Sequence, residues 1–297
     1  MLAYKLTRQG LGRQMDDPIL TVRARRLIKE LRQLRATRKL TVARAASQLG
    51  ISEPTLWRME NGKTKINAEI LVAALDLYDV PSPRREALER LGLDSLRRGW
   101  WAPYRGVFSG SYVALESDAA QIRVNAFVVP GFFQTEDYAR AAIATTRPEL
   151  SLADAERRVQ ARLARQRALF HDRGQPPQIH VLLDESCVRR QVGGAATMRG
   201  QLSRLAKEAA QPGTTIQVLP FSVGSHPGMD GEFVIVDYAD PEDDPFAYEE
   251  GLFGDVYIEN PEDIARYRMA FDHAAADMAL SPSASLEMIT RLSEEKP

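Results

Sequence analysis

LTVARAASQLGISEPTLWRMENGKTKI, residues Leu40 to Ile66, carries the strongest structural signal in the chain. Thr41 is a helix N-cap, because its hydroxyl accepts from a backbone N–H that the first turn leaves unpaired. Val42 to Leu49 is rich in alanine with one apolar face, which predicts a short helix. Gly50 supplies the positive-φ residue that stops it, and Ile51 turns inward. Ser52 then caps a second helix, with Glu53 in its first turn and Pro54 where a missing N–H matters least. Leu56 and Met59 face the first helix, Glu53, Trp57 and Arg58 face outward or sideways, and Asn61-Gly62-Lys63 ends the run. This is the layout of a DNA-binding helix-turn-helix, whose second helix enters the major groove.

On the N-terminal side, Leu20 to Arg38 carries Val22, Leu27, Leu31 and Leu34 at helical spacing. Arg23, Arg25, Arg26, Lys29, Arg32, Arg35 and Arg38 cover the remaining faces and read mostly as a solvated surface. On the C-terminal side, Asn67 to Leu77 predicts another helix with Ile70, Leu71, Ala74 and Leu75 as its core stripe. Pro81-Ser82-Pro83 breaks the chain, and a fifth short helix runs from Arg84 to Leu91 before Gly92. A helical head over residues 20–92 follows, preceded by a flexible arm, residues 1–19. Residues 93–104 read as a linker, in which Trp100 and Trp101 pack onto what comes next.

Beyond the linker the pattern changes. Strand-like runs at 120–129, 179–183, 215–219, 232–237 and 255–259 alternate with helical runs at 109–117, 136–145, 152–171, 194–210 and 261–278. The fold class is therefore two-domain: an all-α helix-turn-helix head of about five helices, then a mixed α/β (α+β) domain over residues 105–280. Residues 281–297 read as a tail with one short helix at most.

The chain of 297 residues is 44% apolar, enough for real cores, and its net charge of −1 hides an asymmetry. Through Gly99 there are 20 Lys and Arg against 11 Asp and Glu; from Trp100 onward, 19 against 29. A basic N-terminal part favours a polyanion partner through phosphate contacts and counterion release. One cysteine, Cys187, excludes an internal disulfide. No run approaches about 18 uninterrupted apolar residues, and the N-terminus lacks a signal-peptide pattern, so a cytoplasmic, nucleoid-associated protein with no membrane contact is expected.

Residues at the start of the second motif helix contact base edges in this fold. That places Glu53, Pro54 and Arg58 at base-reading positions and Ser52 and Thr55 near phosphate. Arg58 is the leading reader, since Arg bidentate to guanine is the commonest specific contact. Glu53 accepts from a cytosine amino group, or simply stabilises a helix N-terminus. Thr41, Lys63 and Lys65 are phosphate contacts. Trp57 is read first as packing, in the core or on the surface, with DNA sugar or a partner as the alternatives.

The block from Leu31 to Leu77, with Thr41, Ala46, Gly50-Ile51-Ser52, Thr55-Leu56 and Glu60-Asn61-Gly62-Lys63 in step, resembles the Xre/Cro/phage-repressor helix-turn-helix family. Val42 departs from it, because many relatives place there a Gln that clamps a phosphate. Further on, Trp100-Trp101, Val129-Pro130-Gly131, Arg162, Arg165-Gln166, Asp184-Glu185, Val192-Gly193-Gly194, Leu219-Pro220-Phe221 and Gly224 with His226-Pro227 look like the uncharacterised C-terminal domain behind Xre-type heads in many actinobacterial regulators. Some of these are classed as antitoxin-like or developmental regulators. The resemblance implies a transcription regulator, dimeric, often encoded near a small partner protein, and brings no catalytic residues.

The second domain carries no recognisable catalytic motif. His171, His180, His226 and His273 make no metal spacing, and no nucleophile elbow or phosphate loop is present. No metal, no cofactor and no catalytic residue are expected. Arg158, Arg162 and Arg165 share a helix face, and an inward Arg needs a partner, with Asp184, Glu185 or Glu250 leading. A ligand or partner pocket lined by Arg162, Arg165, Gln166, Asp184, Glu185 and His226 is the alternative. The expectation for the whole chain is a homodimer on a palindromic double-stranded operator, modulated through the second domain by a ligand or small protein. The alternatives are an antitoxin-like protein that sequesters a small partner, and an enzyme that transforms its effector.

Overall fold

The computed structural model describes residues 20–97, 99–104, 106–108, 112–251 and 254–295. The expected arm, residues 1–19, lies outside them. The head is built from α1 (Val22–Thr37), α2 (Val42–Gln48), α3 (Glu53–Glu60), α4 (Ala68–Leu77) and α5 (Ser82–Ser95). Thr21, Thr41, Ser52 and Asn67 each accept a first-turn backbone N–H, which sets where the first four helices begin. Leu27, Leu31, Leu71 and Leu75 are buried together, and each large apolar side chain so buried stabilises by about 1.5–3 kcal/mol. Arg35 grips Glu60 through two bonds of 2.6 and 2.8 Å, tying α1 to the end of α3. Gly50 stands at φ 68°, the left-handed turn between the motif helices. Gly92 does not end the fifth helix as expected. It lies buried inside α5, where a Cβ would collide with Leu71 Cδ2, so it is a close-approach residue between α5 and α4.

The second domain holds a six-stranded sheet in the order β3-β2-β1-β4-β5-β6. Its strands are β1 (Gln121–Ala126), β2 (Gln178–Asp184), β3 (Thr214–Leu219), β4 (Phe233–Asp237), β5 (Phe246–Gly251) and β6 (Gly254–Ile258). β1 pairs in parallel with β2, and β2 with β3; β4, β5 and β6 continue antiparallel from the other side of β1. Around it stand α6 (Tyr112–Glu116), α7 (Glu136–Thr146), α8 (Leu152–Phe170), α9 (Glu185–Arg189), α10 (Ala195–Ala209), α11 (Pro261–His273) and α12 (Pro282–Glu294). β5 is not foreshadowed by the sequence pattern, since Tyr248-Glu249-Glu250 reads as the acidic end of an apolar segment. β1 stops at Ala126 rather than Val129, because the Glu232 carboxylate takes the Phe127 and Val128 N–H groups at 2.5 and 2.8 Å.

The segment expected to be a tail is instead structural. α12 buries Ile289 completely, and Ser285 Oγ accepts from Val218 N at 2.9 Å on the outer edge of β3. Leu280 N donates to Val218 O at 2.9 Å on the same edge. An open strand edge is thereby closed.

α1 belongs to both halves of the chain. Val22 is buried in the core of the second domain, and Arg25 lies over the Phe246 ring at 5.5 Å. Arg23 reaches Asp118 at 3.3 Å, Arg25 reaches Glu259 at 3.1 Å, Arg26 reaches Asp240 at 2.6 Å and Lys29 reaches Asp244 at 2.7 Å. The N-terminal part of the expected solvated face, Arg23 to Lys29, is thus an electrostatic contact with the acidic domain, which pattern alone could not show because the acidic partners lie far along the chain; Arg32 and Arg38 remain exposed. Trp100 and Trp101 do pack on the second core, and Trp100 Nε1 donates to Ser117 Oγ at 3.1 Å. Neutralising Asp240, Asp243 and Asp244 to Asn loosens the head: protease cleavage in residues 93–104 rises several-fold at low salt. At about 1 M salt, where screening acts over ~3 Å, wild type and variant are cut alike. Equal cleavage at low salt would mean that the contact does not hold the head.

Candidate nucleic-acid interface

α3 divides cleanly by exposure. Leu56, Met59 and Glu60 are buried, whereas Glu53, Pro54, Trp57 and Arg58 are exposed. Ser52 Oγ meets Thr55 Oγ1 at 2.7 Å and also accepts from Thr55 N at 3.3 Å, so the cap pair is internally satisfied and rigid. Arg58 Nη2 donates to Thr55 Oγ1 at 3.3 Å, which holds the guanidinium over the first turn of α3 rather than in solvent at large. Thr41 Oγ1 accepts from Arg44 N at 3.2 Å, fixing the start of α2. Lys63 is half-buried just beyond α3, and Lys65 is exposed. The N-terminal end of α3 carries the positive end of the helix dipole, a natural seat for phosphate.

Two residues complete this surface. Trp57 is not a core residue: it is 52% exposed on the outward side of α3, as its helical position predicts. Arg44 is exposed on α2 and adds a cation beside Thr41. The signal for Arg44 is present in the sequence, since a residue three beyond an N-cap stands one turn into the helix, close to the cap.

A helix-turn-helix domain model matches residues 26–88, and a model described as a domain of unknown function, DUF5753, matches residues 109–291. The second match spans more than half of the chain. The chain belongs to the DUF5753 family. No curated protein matches it, and no solved structure does. The head is a helix-turn-helix DNA-binding module on the N-terminal side of the DUF5753 domain. Among the described residues, no helix is long and apolar enough to cross a membrane.

Within the DUF5753 domain the structure redistributes the expected pocket. Arg165 is buried and paired bidentately with Glu116 of α6, at 2.8 and 2.5 Å, not with Asp184, Glu185 or Glu250. α6 lies against α8, so its wholly buried Glu116 is the carboxylate within reach. Burial alone would pull the Arg165 pKa down, but the Glu116 carboxylate outweighs it and holds the guanidinium well above its ordinary value. The same guanidinium sits over the Tyr112 and Phe132 rings at 5.0 and 5.5 Å. Arg162 Nη1 donates to Gln134 Oε1 at 2.6 Å, and burial pulls its pKa down, since this partner is a neutral amide. Gln166 Nε2 donates to the carbonyls of Gly131 and Gln134, both at 2.9 Å.

The acidic half of the expected pocket has other tasks. Asp184 Oδ1 accepts from Ser186 N at 2.9 Å and caps α9, while Glu185 Oε2 accepts from Phe221 N at 2.7 Å and Oε1 takes Arg189 at 2.5 Å. His226 precedes a short 3-10 turn, Pro227–Asp230, and its Nδ1 is buried without a hydrogen-bond partner among the described residues. No described hydrogen bond or ion pair joins Arg162, Arg165 or Gln166 to Asp184, Glu185 or His226. Cys187 Sγ donates to Ala126 O at 3.3 Å, and burial pushes the thiol pKa up. Such a thiol stays protonated and is a poor nucleophile.

Proposed function

We propose that this DUF5753 chain is a sequence-specific transcription regulator of the Xre type that binds a near-palindromic operator as a homodimer. The observation that carries the reading is the exposed face of α3, with Arg58 held by Thr55 at the mouth of the helix. Arg58 is the guanine reader and Glu53 and Pro54 face neighbouring base edges. Ser52, Thr55, Thr41, Lys63 and Lys65 seat the motif on phosphates. In a dimer the half-sites are roughly 10 base pairs apart.

The DUF5753 domain acts as the regulatory body, not as an enzyme. α1 is continuous from the head into the body's core, so a change in the body is passed to the head through one rigid helix. A ligand or small protein that favours one arrangement shifts the population of head orientations. In support of a protein partner, Val128, Phe221 and Met229 are exposed on loops at the same end of the sheet.

Arg58→Ala is the direct test. Discrimination between the preferred operator and a version lacking the guanine falls by about 1–3 kcal/mol, a factor of roughly 5 to 150. Weak, salt-sensitive binding persists because the phosphate contacts remain. Titration of labelled operators at two salt concentrations reads both effects. Undiminished preference for the same operator would sink the assignment of Arg58.

A further inference from the structure

Around α3, at about 3.6 residues per turn, the exposed side chains fall in the angular order Glu53, Trp57, Pro54 and Arg58. Trp57 and Pro54 therefore stand at the middle of the outward arc, with the two charged residues at its margins. Trp57 is 52% exposed and makes no ring-stacking or cation–π contact among the described residues. Its backbone is held, since Asn61 Nδ2 donates to Trp57 O at 2.8 Å. Trp100 and Trp101, by contrast, are partly buried against the second core. A large aromatic side chain can bury about 150–250 Å² of surface. Left in water on a helix that is otherwise well satisfied, it is a contact awaiting a partner.

The partner is set by groove chemistry. An indole offers one donor, Nε1–H, and two apolar faces. Among the base edges of the major groove, thymine presents the apolar group, its C5-methyl. We propose that Trp57 is a specificity-determining residue that packs an indole face on a thymine methyl, beside the guanine read by Arg58. This rests on the regulator reading above and narrows it: each half-site holds a required thymine next to its guanine.

The test has two stages, with full-length protein. Wild type and Trp57→Ala first select from random double-stranded DNA. Each thymine of the wild-type site is then replaced in turn by deoxyuracil, which removes the methyl and nothing else. At one position per half-site wild type binds about fourfold more weakly, the effect of one buried methyl group. Trp57→Ala binds the thymine and uracil sites equally, and Trp57→Phe keeps part of the difference. Circular dichroism confirms that the variants fold, as expected for an exposed position. Insensitivity of wild type at every thymine overturns the contact while the regulator reading stands, and so does a sensitivity that Trp57→Ala retains. If no sequence is selected at all, the regulator reading fails and this contact fails with it.

Discussion

Glu116→Gln destabilises the DUF5753 domain by about 3–5 kcal/mol, the usual penalty for leaving a buried charge without its counter-ion. Glu116 is 1% exposed and Arg165 8%, so neither group can turn to water without moving α6 or α8. Glutamine keeps the shape and one acceptor, and so isolates the charge as the cause. Urea unfolding followed by tryptophan fluorescence measures the change, best in a Trp57→Phe background in which Trp100 and Trp101 alone report. Replacing both partners by apolar residues, Glu116→Leu with Arg165→Met, recovers most of the loss, because an apolar pair has no desolvation penalty to offset. A fall below about 1 kcal/mol for Glu116→Gln would show that Arg165 finds another partner or water, well short of the cost of an uncompensated buried charge. The pair would then lose its place as the anchor between α6 and α8.

Ending the chain after Leu280 has an effect of the same order or larger. The truncation removes α12, uncovers the surface that Ile289 seals, and leaves Val218 N on an open β3 edge without Ser285 Oγ. Exposed strand edges pair with other chains, so the shortened protein is expected to aggregate on purification. Ile289→Ala separates the packing contribution and costs about 2–5 kcal/mol, as for other large-to-small changes at buried aliphatic sites. A truncated chain that stays soluble and melts at the wild-type temperature would return residues 281–297 to the status of a tail.

The helix-turn-helix is legible in the sequence because its determinants are local. Caps, a positive-φ glycine and apolar spacing all act within a few residues, so Thr41, Gly50, Ser52, Leu56 and Met59 stand where their neighbours dictate. The alternation of helices and strands in the second domain is legible for the same reason. β5 escapes because its buried run, Phe246-Ala247-Tyr248, is only three residues long and is flanked on both sides by acidic residues, and only pairing with β4 and β6 makes it a strand.

The partners of charged side chains are not legible. The arginines of α1 pattern as a solvated face until the fold brings Asp118, Asp240, Asp244 and Glu259 against them. Arg165 announces itself as an inward charge, but its counter-ion, Glu116, lies 49 residues earlier in the chain, on a helix whose placement no periodicity specifies. Trp57 is likewise ambiguous, since an aromatic in a helix packs or projects according to what its neighbours leave uncovered. Residue order alone was enough to specify the head, its helix-turn-helix and the class of its body, because backbone geometry and hydrophobic spacing are short-range. It took the folded chain to make α1 lock head to body and α12 close the sheet, because ion pairing and exposure depend on residues that only folding brings together.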